Sequence, residues 1–266
     1  MGNTLRIASA QLDFTVGDVA GNAARVIDTL REVRRRGSAD LVVFPELALS
    51  GYPPEDLLFH TGLRRQVAGA LARVQEETAG IAAVVGYPEY ADGHLYNAAA
   101  FLAGGRRVAN YRKRVLPNYA VFDEERYFTP GEGGVVLDFQ GVPLGLAICE
   151  DVWVPEPCRL SAEAGSRLLI VPNGSPFEVG KQQQREQVLA ARATETRMPI
   201  LYTNMVGAQD ELVFDGGSCV VDAAGRVVAR APRFTAGVYV AEVRVAAGSV
   251  EPGLHRHRAA AVAQRV

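Results

Sequence analysis

The chain has 266 residues, 48% apolar and 22% charged, and its 28 basic and 30 acidic side chains leave a net charge of −2. With mean hydropathy close to zero, at +0.03, this is the composition of an ordinary globular protein. It points to neither a nucleic-acid surface nor a membrane surface as the main partner, and no apolar run is long enough to span a bilayer.

Residues 5–11 read as the first strand, with Leu5, Ile7 and Ser9 alternating. A helix follows over 22–36, where Ala23, Val26, Ile27, Leu30 and Val33 share one face. Asn22 is its expected N-cap and Gly37 its stop. Residues 40–45 form a short β-rich run, read as a buried strand. A second helix is expected over 63–78, with Leu63, Val67, Leu71 and Val74 on one face, and a further buried strand over 81–86. Residues 95–102 and 106–112 flank Ala103-Gly104-Gly105, a hairpin turn. Residues 135–139 and 142–148 flank Gln140-Gly141, a second hairpin.

The alternation then repeats. Residues 157–165 read as a helix, 167–171 as a strand, 181–197 as a polar helix stopped before Pro199, and 199–204 as a strand. Residues 212–222 and 226–231 flank Ala223-Ala224-Gly225, a third hairpin, and 237–243 close the sheet. Strand–helix alternation interleaved with hairpins indicates an α/β layered domain of two similar halves with mixed strands. No linker divides residues 1–245. Residues 246–266 have weak periodicity and many alanines, and a loose end or an arm packing on a partner is expected there. Its His255 and His257 are read as solvated residues of that tail, not as metal ligands.

Three strand ends carry the chemistry. Cys149 ends the run 142–148 and is followed by Glu150-Asp151-Val152-Trp153. A free cysteine is most often a small buried hydrophobe, which is how Cys158 and Cys219 are read. Cys149 differs because Glu46 and Lys113 also follow apolar runs, and open α/β sheets place their sites beyond the carboxyl ends of strands. A thiol, a carboxylate and an amine gathered there suit amide cleavage. The carboxylate takes the thiol's proton and later activates water, while the amine and the N–H groups of the turn stabilise the oxyanion. None of the four histidines, His60, His94, His255 and His257, follows a strand in a suitable context, which disfavours a Cys–His pair. No metal site is expected. The sparse, odd set of three cysteines favours a reducing, cytoplasmic setting, and the N-terminal residues carry no secretory signal pattern.

Phe44-Pro45-Glu46, Tyr111-Arg112-Lys113 and Ile148-Cys149-Glu150-Asp151 resemble the three catalytic motifs of the nitrilase (carbon–nitrogen hydrolase) superfamily. The resemblance runs from about residue 5 to 243. It implies a four-layer αββα sandwich, with Glu46 as base, Lys113 as oxyanion stabiliser and Cys149 as nucleophile. Lys113 to Tyr119, Val121 to Phe128, Pro172 to Phe177 with Lys181, Phe214 to Ser218, and Leu49 to Asp56 are similar to the glutaminase domain of glutamine-dependent NAD synthetases. That likeness implies that Tyr119, Ser175 and Lys181 contact L-glutamine. It also implies that Glu124, with Glu125 its adjacent alternative, supports the lysine.

The same family carries an ATP-dependent synthetase domain with a Ser-Gly-Gly-x-Asp-Ser-like phosphate loop, and no such loop occurs in this sequence. The resemblance therefore implies a glutaminase without a cofactor of its own, ATP and Mg belonging to the synthetase domain. Its ammonia would pass to a synthetase domain or subunit, and a homo-oligomer is expected. Two other readings stand beside it: an amidase or carbamoylase acting on another small amide, and a catalytically idle regulatory or binding subunit.

Overall fold

The computed structural model describes residues 3–245 and 264–265. The first half comprises β1 (Asn3–Gln11), α1 (Val19–Arg36), β2 (Leu41–Val43), α2 (Thr61–Glu76), β3 (Ala82–Ala91), β4 (His94–Ala103) and β5 (Arg106–Arg112). The second comprises β6 (Val136–Phe139), β7 (Val142–Leu146), α3 (Pro155–Glu163), β8 (Leu168–Asn173), α4 (Lys181–Thr196), β9 (Ile200–Asn204), β10 (Val206–Gln209), β11 (Leu212–Asp215), β12 (Cys219–Val221), β13 (Val227–Arg230), β14 (Gly237–Val245) and β15 (Gln264–Arg265).

Two mixed sheets result, ordered β14-β1-β2-β3-β4-β5 and β13-β12-β9-β8-β7-β6-β15. Their strands alternate between two buried faces, as the period of two requires. Ile7, Val43, Val84 and Phe101 of the first sheet meet Leu144, Leu168, Ile170 and Leu201 of the second in one apolar layer. The opposite face of the first sheet, with Ala8, Val42 and Val85, packs under Val26, Leu30, Val67 and Val74 of α1 and α2. The opposite face of the second, with Leu169, Val171 and Ile200, packs under Cys158, Leu189 and Ala193 of α3 and α4. This is the αββα sandwich that the family resemblance implies.

Three local expectations are corrected. Asn22 does not cap α1: the helix starts at Val19 and Asp18 caps it, accepting from Gly21 N–H at 3.0 Å. Asn22 instead donates to the carbonyls of Thr15 and Leu49, at 2.8 and 3.3 Å, and so bolts the helix to two loops. The expected strand 212–222 is two strands in different sheets. Gly216 and Gly217, both at φ +67°, break it where any Cβ would lie 2.3 Å from the side chains of Gln11 and Gln182. The freed β11 pairs with β10, a strand that the sequence reading lacks. The third correction concerns length: β3 runs on to Ala91, because its polar end still pairs with the polar end of β4. The tail reading, with His255 and His257, lies outside the described residues.

Candidate active site

Glu46, Lys113 and Cys149 all lie beyond strand ends of the central sheets. Glu46 sits in the turn after β2 and is 1% exposed. Its segment crosses β3 at Gly86, where a Cβ would fall 2.4 Å from both the Pro45 carbonyl oxygen and the Leu47 nitrogen, so only glycine permits the crossing. Lys113 follows β5. Its backbone donates to the Asn97 carbonyl at 2.8 Å and accepts from Gly131 at 2.7 Å. Cys149 follows the extended Ile148 and opens a single 3-10 turn. Its φ of +45° is unusual for a side-chain-bearing residue. A non-glycine residue held there costs on the order of 1–3 kcal/mol, a strain that clusters at functional sites. The first N–H groups of such a turn have no acceptor within it, so they are available to an anion.

The side chains form one buried network. Lys113 Nζ donates to Glu46 Oε1 at 2.7 Å and to Glu124 Oε1 at 2.8 Å. Asn97 Nδ2 also donates to Glu46 Oε1 at 2.7 Å, and the Gly174 N–H donates to Glu46 Oε2 at 2.8 Å. Tyr52 donates its hydroxyl to Glu124 Oε1 at 2.9 Å, while Glu124 Oε2 stays buried without a partner.

The electrostatics follow from burial and from this crowding. Burial pushes the Cys149 thiol well above its ordinary range, and the Glu46 carboxylate adds to that, with Lys113 opposing. Burial likewise lifts Glu124 to about 7, against the pull of Lys113 and with Glu46 adding. For Lys113 burial acts downward, but Glu124, Glu46 and Cys149 outweigh it and hold the ammonium well above its usual value. The lysine therefore stays charged. The thiol is protonated at rest and needs a base when it attacks.

The other three candidates lie around this centre. Tyr119 is half exposed and donates its hydroxyl to Glu150 Oε1 at 2.9 Å. Lys181 is the first residue of α4; its ammonium lies 4.7 Å from the centre of the Trp153 ring and 3.7 Å from Glu178. Trp153 packs against the α3–α4 core and offers one ring face to that cation. Ser175 is buried, and its Oγ accepts from Arg185 Nε at 3.1 Å, which leaves its own proton for another acceptor. Lys181, Lys113 and Glu46 all act on Glu150, whose carboxyl is raised first by burial.

Four further residues around this centre carry no assigned role in the sequence. Asn97 lies mid-strand in β4, and Tyr52 in a loop. Asp151 stands in the Cys149 motif with no role of its own and Arg185 reads as an ordinary charged residue, yet they are 0% and 2% exposed. Cys158 and Cys219 are buried free thiols, in keeping with a structural reading. A cavity of about 190 Å³ lies beside Tyr52 and Glu124. A larger hollow of about 810 Å³ lies elsewhere, between α1 and β14, and none of Glu46, Lys113 and Cys149 lines it. Among the described residues no three His, Cys, Asp or Glu side chains gather as metal ligands, and no helix is long and apolar enough to cross a membrane.

The carbon–nitrogen hydrolase family model matches residues 6–250. The chain belongs to this family. The hydrolase is 51% identical over 237 residues to the glutamine-dependent NAD(+) synthetase of Xylella fastidiosa, an overlap covering 88% of this chain and 44% of that protein. Against the synthetase of Thermotoga maritima the identity is 45% over 228 residues, or 84% and 39% of the two chains. The hydrolase thus spans less than half the length of these curated relatives. Its structure overlays the glutamine-dependent NAD+ synthetase of Acinetobacter baumannii with a TM-score of 0.88 at 34% identity, covering 95% of this chain and 49% of the other. With the amidase of Nesterenkonia sp. the TM-score is 0.80 at 30% identity, covering 90% of both chains. A variant of that amidase carries the acetamide moiety of fluoroacetamide on its active-site cysteine.

Proposed function

We propose that the hydrolase releases ammonia and L-glutamate from L-glutamine, as the ammonia-supplying part of NAD synthesis. One observation carries the chemistry: a lysine ammonium locked between two buried carboxylates beside a thiol on a strained turn. In this reading Glu46 takes the Cys149 proton as the sulfur attacks the carboxamide carbon. The oxyanion that forms is met by the Lys113 ammonium and by N–H groups of the 3-10 turn. Glu46 returns the proton to the leaving nitrogen, ammonia departs and a thioester remains. Glu46 then activates water, the thioester is hydrolysed, and glutamate leaves with the thiol restored. Glu124 keeps Lys113 charged and in place. Removing one oxyanion donor typically costs about 2.7–4 kcal/mol of barrier, so Lys113 carries a large share of the rate.

Glutamine's zwitterionic end needs both signs of charge. Lys181 suits its α-carboxylate and Glu150 its α-ammonium group, with Tyr119 and Ser175 supplying hydrogen bonds. The relatives' names support the choice of amide. Residues 1–245 would act as the hydrolase unit, with 246–266 as a tail, in a homo-oligomer working with a synthetase domain or subunit that holds ATP and Mg. Free thiols throughout support a cytoplasmic setting.

The test is glutamate and ammonia release from L-glutamine by the purified protein beside Cys149→Ala. Release by the native protein and none by the variant supports the reading; equal release by both overturns it. A second reading rests on the amidase overlay, which covers 90% of both chains: hydrolysis of another small amide with the same residues. Faster turnover of an uncharged aliphatic amide than of glutamine would favour it.

A further inference from the structure

Asp151 takes no part in the reaction scheme, yet it is 0% exposed and is met by donors on both oxygens. Oδ2 accepts from the Ile148 N–H at 2.9 Å and from the Tyr111 hydroxyl at 2.8 Å. Oδ1 accepts from the Arg114 N–H at 3.1 Å and the Val115 N–H at 2.9 Å. These donors come from two short segments only. Ile148 immediately precedes Cys149. Tyr111, Arg114 and Val115 bracket Lys113.

The two segments extend from different sheets, Lys113 from β5 of the first and Cys149 from β7 of the second. Between the sheets lies an apolar layer. Apolar contact is non-directional and tolerates sliding, whereas hydrogen bonds fix geometry to tenths of an ångström. Two further polar links join the segments, Tyr119 to Glu150 and Arg114 to Glu156, and both reach solvent. Neither fixes the register as a buried carboxylate does. The arrangement is also costly, because burial raises the Asp151 carboxyl despite the Ile148, Val115 and Tyr111 donors and the Lys113 charge. An apolar residue would fill the space at lower cost and would lose the tie.

We propose that Asp151 is a positioning residue that sets the separation of the Lys113 ammonium from the Cys149 thiol across the two sheets. The inference rests on reading those residues as oxyanion stabiliser and nucleophile. Its geometric consequence is severe, since a misplacement of about 1 Å is able to cost about 100-fold in rate.

The test uses Asp151→Asn and Tyr111→Phe in the full chain, with three readouts: kcat and KM for L-glutamine, the pH dependence of Cys149 alkylation by iodoacetamide, and the melting temperature. The asparagine amide cannot accept at both positions, so kcat should fall about 100-fold with KM nearly unchanged. Lys113 opposes the upward shift of the thiol, so loosening it should move the alkylation midpoint to higher pH. Tyr111→Phe removes one donor of four and should show the same two shifts, but smaller. A lower melting temperature with an unmoved alkylation midpoint in both variants would overturn the proposal, as would native kcat in Asp151→Asn. If Asp151→Asn fails to fold, Tyr111→Phe decides by the same midpoint. If the native protein leaves glutamine intact, the glutaminase reading falls, and alkylation, which needs no amide substrate, still decides on Asp151.

Discussion

The backbone N–H of Gly174 donates to Oε2 of Glu46 at 2.8 Å, so the second half of the chain holds the carboxylate that the first half supplies. An ionised carboxylate offers about four acceptor sites. Three on Glu46 are filled, by Lys113, Asn97 and Gly174. The remaining one is on Oε2, away from the lysine, where a thiol proton or an attacking water is the natural partner.

Glu46→Gln should therefore abolish proton transfer, and because its amide cannot accept at both oxygens it also turns a donor towards Gly174 or towards Lys113 and Asn97. General acid–base groups contribute about 10²–10⁴-fold, and kcat should fall by that order. Ammonia release measured beside a thermal melt checks it, the melt falling as the buried carboxylate's partners are lost and kcat falling further than lost folded protein accounts for.

Asn97 accepts the Lys113 backbone N–H on its own backbone carbonyl, and its side-chain amide donates to Glu46 Oε1, the oxygen that also meets the Lys113 ammonium, so the side chain holds the base where the ammonium meets it. Hydrogen bonds to charged groups are worth about 1.5–3 kcal/mol, which corresponds to roughly 10- to 100-fold in rate. Asn97→Ala should lose kcat in that range. Asn97→Asp should lose more, because it adds a third carboxylate to a buried site that already holds two. Steady-state kinetics on the two variants gives the order.

The pH profile reports on Glu124, the carboxyl that anchors Lys113 beside Glu46. Burial and then Glu46 lift Glu124 from an ordinary 4.5 to about 7, against Lys113. Activity should fall on the acid side near neutrality, where Glu124 gains a proton and Lys113 loses one charged partner. Glu124→Gln removes that titrating group, so the limb near 7 should disappear, and the rate at pH 8 should drop because Lys113 loses one anchor. The stability sign is fixed too. A raised folded-state value favours the folded protein fully below the ordinary value, and that contribution is lost as pH rises through about 7. The fall in melting temperature between pH 4.5 and 7 should be smaller in Glu124→Gln than in the native protein.

The layers were legible because apolar periodicity records burial: α1 and α2, the strand ends and the three hairpin turns all follow from it. The convergence of Glu46, Lys113 and Cys149 was legible, because each follows an apolar strand at the same end of the sheets. What escaped was long-range polar pairing. Asn97 shows only an asparagine in an alanine-rich strand, and its partner lies 51 residues away. Arg185 occupies a polar helix and looks solvated, since nothing local reveals that Asp215 waits 30 residues on. Gly216-Gly217 reads locally as a close approach or bulge, as the structure has it, but the passage of the chain to another sheet there escaped, because the side chain Gly216 avoids, Gln11, sits on the first strand.

Arg185 and Asp215 make the last prediction. They pair at 2.7 Å with their side chains 1% and 0% exposed. Arg185 also donates to the carbonyls of Ser175 and Pro176 at 3.0 and 2.7 Å, and to Ser175 Oγ. One guanidinium thus holds the loop whose Gly174 meets Glu46 and whose Ser175 is proposed to contact the substrate. Breaking a buried pair by removing one partner typically costs about 3–5 kcal/mol. Arg185→Ala should lose that much in urea unfolding and raise KM for glutamine as the loop loosens. Arg185→Lys keeps the charge beside Asp215 but loses the planar fork, so it should recover much of the stability and little of the KM. The two readouts separating in this way would show that the arginine serves the loop as well as the fold. A lysine variant that restored both would reduce its role to the ion pair, with Asn204, which accepts the Ser175 N–H at 2.9 Å, holding the loop without it.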